Sequence, residues 1–146
     1  SDVYKTQIQV VMTAAETGHL VFSTLHTIGA ANTIERIIDV FPPNQQRQIT
    51  IQLASVLQAV ISQQLIPSVD GTLIPVFEIM EVTPAIRNMI RENKVHQIDG
   101  LIYSSTGSGM MYMDQSLMQA YRDGKITKET AVLYALNAEM LSKRLR

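Results

Sequence analysis

Gly18-His19-Leu20-Val21-Phe22-Ser23-Thr24-Leu25-His26-Thr27 is the stretch on which the fold turns. It is rich in β-branched and aromatic side chains, which suit a pleated backbone. Its apolar residues do not alternate: Leu20 and Phe22 stand on one parity, Val21 and Leu25 on the other. A strand with one wet face would alternate, so this pattern predicts a strand over residues 19–27 that is covered on both sides. Strands of that kind belong to parallel sheets clad by helices, and the expected class is therefore α/β.

The flanking segments agree with this reading. Upstream, Ile8, Val11, Met12 and Ala15 fall at i, i+3, i+4 and i+7, which predicts a helix over residues 4–15 that stops at Thr17-Gly18. Downstream, Ile34, Ile37, Ile38 and Phe41 repeat the helical spacing until Pro42-Pro43 breaks it. Ile49, Leu53, Val56, Leu57 and Val60 then predict a further helix after Asn44. Residues 64–66 and 73–80 are strand-like around Asp70-Gly71, a turn pair, so a hairpin is expected, and Pro67 and Pro75 push it to a sheet edge. From Thr83 onward the pattern is helical in short pieces: one opened by Thr83-Pro84, one over 95–103, one over 114–122 closed by Gly124, and one over 127–136. A last piece runs from Asn137 to Arg146, and Ser104-Ser105-Thr106-Gly107-Ser108-Gly109 reads as a loop.

Composition narrows the function classes. At 146 residues with 46% hydrophobic side chains, the chain is long enough to bury a core without staples. It has no cysteine, which removes disulfides, thiolate zinc sites and cysteine nucleophiles together and fits a reducing, intracellular compartment. Twelve Lys plus Arg against thirteen Asp plus Glu leave a net charge of -1, too little positive field for nucleic acid to be the main partner. Nothing approaches the roughly 20 apolar residues of a bilayer span, so any membrane role would be indirect.

The three histidines, His19, His26 and His96, are the first candidates for chemistry. On a strand, His19 and His26 would point to opposite faces, which argues against a shared metal. His19, at the start of the strand, fits a hydrogen-bonded structural residue as well as a functional one. His26 would lie at the carboxyl end of a parallel strand, where open α/β sheets bind ligands, and an imidazole there can donate to a phosphate oxygen. A phosphate cradle of the form G-x-x-x-x-G-K-[ST] is missing. The only Gly-Lys pair, Gly124-Lys125, has Gln119 in place of the first glycine and Ile126 in place of the hydroxyl. Arg87 and Arg91 stand four apart on one helix, a mildly repulsive pair unless a carboxylate, phosphate or partner surface answers it. The Met110-Met111-Tyr112-Met113 run fits adaptable packing.

With those residues in view, Ala14-Ala15-Glu16-Thr17-Gly18-His19-Leu20-Val21-Phe22-Ser23-Thr24-Leu25-His26-Thr27 closely resembles the histidine box of the type II and type IV secretion ATPases. Ala85-Ile86-Arg87-Asn88-Met89-Ile90-Arg91-Glu92 resembles the AIRNLIRE motif of the PilT-type retraction branch, with Met89 in place of Leu. Ile37 through Pro42, His96-Gln97-Ile98 and Gly109 through Gln115 extend the similarity, whereas Ser1 through Ile8 preserve little of it.

The resemblance implies a chain that is the C-terminal part of a PilT-type pilus retraction motor, beginning just after the Walker B region. The implied fold is a partial RecA-like P-loop ATPase core, without its P-loop portion, over residues 1–82 with the edge hairpin. An all-helical C-terminal subdomain follows over residues 83–146. It further implies His26 as a sensor of the ATP γ-phosphate with His19 in support, and Arg87, Asn88, Arg91 and Glu92 as residues that couple the motor to retraction. ATP and Mg²⁺ would serve the complete parent, and this chain, lacking Walker A and Walker B, would be inactive alone and hold neither tightly. The implied partners are further copies in a hexamer and an inner-membrane pilus platform protein, at a cytoplasmic site by the pilus base. A pilus-assembly or type II secretion ATPase, or a non-catalytic partner-binding module, are the alternatives.

Overall fold

A computed structural model describes residues 2–145, so the expected chain ends at Ser1 and Arg146 lie outside the described residues. The first helix, α1 (Asp2–Glu16), stops where glycine permits it. Gly18 takes φ +89°, its N–H donates to the Ala15 carbonyl at 3.2 Å, and the His19 N–H donates to the Ala14 carbonyl at 3.1 Å. These two bonds form a Schellman closure that satisfies the last carbonyls of the helix.

The strand expected over residues 19–27 does not form. These residues have no regular secondary structure, and residues 20–28 make no backbone–backbone hydrogen bond among the described residues. Strand propensity expresses itself only through pairing, and no described strand lies alongside to supply the ladder. The result is that Leu20 and Phe22 are 83% and 88% exposed, the reverse of the expected burial. Likewise, no parallel sheet is present among the described residues: the sheet is a two-stranded antiparallel hairpin.

The remaining elements follow their signals closely. Helix α2 (Ala30–Asp39) buries Ala30, Ile34, Ile37 and Ile38 on one face. Helix α3 (Pro43–Val56) begins two residues before the expected start, because proline at the first helical position lacks only an N–H that would be unpaired there anyway. It ends at Val56, and Val60, expected on that helix, belongs instead to β1 (Ala59–Pro67). β1 pairs with β2 (Leu73–Glu81) from Ala59↔Glu81 to Pro67↔Leu73, a longer hairpin than the apolar runs alone indicate. Its turn is closed by Asp70, whose carboxylate accepts the Ser68 and Thr72 hydroxyls and the Thr72 N–H. Those bonds, Ser68 first, hold its pKa down at about 2.

Helix α4 (Pro84–Arg91) is capped by the Thr83 hydroxyl, which accepts the Ile86 N–H. A 3₁₀ turn (Val95–Gln97) leads into α5 (Ile98–Ser104), followed by α6 (Met113–Arg122), α7 (Lys128–Leu133) and α8 (Ala138–Arg144). Thr127 and Asn137 cap the last two helices through Thr130 and Met140.

Burial divides into two clusters. The first unites α1 to α3 with α4 and α5 around Ile34, Phe41, Met80, Ile86, Ile90 and Ile98. The second packs α6 to α8 on the far end of the hairpin around Ile66, Val76, Met113, Leu117 and Leu141. The hairpin serves both: Met80 belongs to the first core, Val76 to the second, and Glu78 lies between them.

Candidate functional site

The histidine-bearing segment is suspended between two anchors. At its upstream end, His19 closes α1 through its own N–H, and its ring Nδ1 lies 3.1 Å from the Ala14 carbonyl and 3.2 Å from the Thr17 hydroxyl. A carbonyl oxygen only accepts, so this contact requires the proton on Nδ1. His19 thus takes a local, hydrogen-bonded role at a helix end.

At the downstream end the anchors are buried. The Gly29 N–H donates to the Ser62 hydroxyl of β1 at 2.8 Å, and the Ala30 N–H donates to Glu78 Oε1 of β2 at 2.7 Å. The Thr33 hydroxyl donates to the Gly29 carbonyl at 2.8 Å and lies 2.7 Å from the Thr27 hydroxyl, which is left as the donor in that pair. Gly29 has φ +91°, a conformation that favours glycine, and a Cβ there would stand 3.3 Å from Leu136 Cδ1, crowding that side chain. His26 lies between these anchors and is exposed.

The first amides of a helix attract anions, but at α2 the first amide already has a partner in Glu78. Glu78 is fully buried, and its second oxygen accepts the Met113 N–H at the start of α6, at 3.1 Å. Burial raises its pKa above the ordinary glutamate value, against the two backbone bonds that lower it. Asp114 accepts the Leu136 and Asn137 N–H groups at 2.7 and 2.8 Å, one on each oxygen, and docks the start of α8. Its pKa is also raised, again by burial. The pKa of Asp99 is raised by burial and by Asp114, and its Oδ1 is buried with no hydrogen-bond partner among the described residues. Burial, helped by the three carboxyl groups, pushes the Tyr112 phenol up as well. Among the described residues no group of three or more His, Cys, Asp or Glu is placed to hold a metal ion.

Helix α4 presents the arginine pair. Arg87 is half-buried and its guanidinium donates to the Ala54 carbonyl in the last turn of α3, where a positive charge is favoured. Arg91 is exposed and donates to Asn88 Oδ1 at 2.9 Å. Glu92 pairs with Lys94 at 2.9 Å across exposed surface, which lowers its pKa. The like charges at four-residue spacing are therefore answered within the chain, one by a helix end and one by an amide.

The model of the Type II/IV secretion system protein family matches residues 5–73 of this chain. The "Twitching motility protein" of Neisseria gonorrhoeae is 48% identical over 136 residues, 92% of this chain and 36% of that protein. The type IV pilus retraction ATPase PilT of Pseudomonas aeruginosa is 47% identical over 85% of this chain and 36% of its own length. The crystal structure of the pilus retraction motor PilT with bound ADP superimposes with a TM-score of 0.83 at 42% identity, over 93% of this chain and 38% of that one. These likenesses mark the chain as PilT-type, related to the type II/IV secretion system proteins. It spans little more than a third of the length of the curated relatives it matches.

Within this PilT-type chain His19 and His26 are separated by place. His19 is bound into the end of α1, whereas His26 is offered to solvent, and no hydrogen bond among the described residues joins either to α4. His96 is exposed on the 3₁₀ turn. The residues that organise the region, Ser62, Glu78 and Asp114, were not singled out by sequence reasoning. One signal for Glu78 was present: it shares its parity along β2 with Val76 and Met80, so a charge stands at a core position of an apolar strand.

Proposed function

We propose that this chain is the C-terminal portion of an ATP-driven, hexameric motor that retracts type IV pili and so powers twitching motility. In this reading residues 1–82 form the end of a RecA-like core with its hairpin, and residues 83–146 form the helical subdomain. The observation that carries the proposal is the exposure of His26 between two fixed ends, the Schellman closure at Gly18 and the Gly29–Ser62 and Ala30–Glu78 bonds. An imidazole so held can meet a phosphate oxygen brought by another part of the parent protein, without the chain having to order a loop at that moment. His26 then reports the γ-phosphate and His19 supports it by closing α1.

ATP and Mg²⁺ would be held largely by parent residues that this chain does not contain, and the chain alone turns over no ATP. Arg87 ties α4 to α3, leaving Asn88, Arg91 and Glu92 on the outward side to couple the motor to retraction. The coupling partners would be the neighbouring subunits and an inner-membrane platform protein. No helix among the described residues is long and apolar enough to cross a membrane, which is compatible with peripheral placement at the cytoplasmic pilus base.

The test is His26→Ala in the complete parent protein, with phosphate release and pilus retraction measured side by side. The expected result is reduced or uncoupled turnover with assembly intact, and wild-type rates of both would refute the assignment. Arg87→Ala with Arg91→Ala should abolish retraction while rings still assemble.

A further inference from the structure

Glu78 is a fully buried, charge-bearing side chain that touches two helices at once. Its Oε1 takes the first amide of α2 and its Oε2 the first amide of α6, at 2.7 and 3.1 Å. Its cross-strand partner, Ser62, takes the Gly29 amide two residues beyond Thr27. A Cβ at Gly29 would stand 3.3 Å from Leu136 Cδ1 of the tail, and the Leu136 N–H is held by Asp114 beside Met113. A continuous set of short contacts therefore runs from the His26 segment through Glu78 to the tail, at the junction of the two hydrophobic cores.

We propose that Glu78 is a positioning residue that ties the start of α2, and with it the His26 segment, to the start of α6, so that each responds to displacement of the other. A carboxylate suits this role because each oxygen can accept one amide fully. A glutamine offers one carbonyl oxygen only, and its NH₂ faces the second amide donor to donor. Protonation of Glu78 has a similar effect, weakening one of the two acceptors. The charged groups that act on it are Asp99 from α5 and Asp114 from α6, and Tyr112, ahead of α6, responds to it in return. That the tied segment faces a nucleotide rests on the function proposed above; the tie itself does not.

The experiment is a pH titration of the ¹⁵N-labelled 146-residue chain followed by NMR, upward from about pH 4, near the ordinary carboxylate range. The Ala30 and Met113 amide resonances should move with one common midpoint above the ordinary glutamate value. The His26 ring resonance should show an inflection at that same midpoint. In Glu78→Gln all three inflections should vanish, and amide exchange at Ala30 or Met113 should quicken by about tenfold, as expected for loss of a charge-assisted bond. Separate midpoints for the two amides, inflections that persist in E78Q, or a His26 ring blind to the common midpoint would each overturn the proposal. The titration of the unmodified chain needs no variant, so it decides the matter even if E78Q does not fold. No nucleotide is present, so failure here leaves the His26→Ala result standing, and failure there leaves this one standing.

Discussion

The histidine segment and the Glu78 junction invert each other. Residues 20–28 have the composition of a buried strand, yet Leu20 and Phe22 lie almost wholly in solvent and the backbone pairs with nothing described. Glu78 carries a charge, yet it is completely buried with both oxygens bonded. Burial is thus decided by available partners and not by hydropathy alone. An apolar strand without a neighbouring ladder stays open, and a carboxylate with two helix ends to satisfy goes inside.

The largest test of that contrast is Glu78→Ala. It leaves the Ala30 and Met113 amides buried without acceptors and should destabilise the chain by about 3 kcal/mol. The measurement is the shift in urea midpoint at constant slope, and a loss under about 1 kcal/mol would show that water or relaxation satisfies both amides.

A smaller effect is expected from pH. Glu78, Asp99 and Asp114 all have pKa values raised in the folded chain, each chiefly by burial. The folded state then binds their protons more tightly than the unfolded state does. Their contribution to stability is complete below the ordinary carboxylate range and is lost as pH climbs through the raised folded values. The thermal midpoint should fall over that window, and Glu78→Gln and Asp114→Asn should each flatten the slope. The exposed Asp70 and Glu92, with lowered values, work in the opposite sense: what they contribute is present above their unfolded values and is lost only as pH falls through the folded ones. A stability that rises with pH across the upper window would contradict the burial argument.

The smallest effect should come from the histidine segment itself. Leu20→Ser with Phe22→Ser removes side chains that touch little in the folded chain, so the urea midpoint should move by no more than about 0.5 kcal/mol equivalent. Self-association measured by analytical ultracentrifugation should weaken over the same change, because an open apolar strand-former is a pairing hazard. A marked loss of stability would mean that the segment packs on the chain after all.

Local signals account for most of the architecture. The 3.6-residue spacing of Ile34, Ile37 and Ile38, the helix-opening Thr83-Pro84, and Asp70-Gly71 between two apolar runs each act within a few residues, and the corresponding elements formed where expected. The Schellman stop at Thr17-Gly18 belongs with them. The family was legible for a related reason: the histidine box and the Ala85 to Glu92 motif are contiguous runs of sequence. The hairpin's true length was harder to see, because β1 gains residues such as Val60 only by pairing with a β2 strand that extends as far as Glu81.

What the sequence determined by itself was therefore the set of helices, the turn of the hairpin and the PilT-type likeness. All of these rest on patterns confined to a few neighbouring residues. Only the tertiary structure decided that residues 20–28 remain unpaired, that His26 is exposed, and that Ser62, Glu78 and Asp114 tie together segments distant in sequence. The first two outcomes reflect a segment that finds no partner, and the third needs hydrogen-bond partners brought close by folding from more than 20 residues away; no local periodicity encodes where such partners will be.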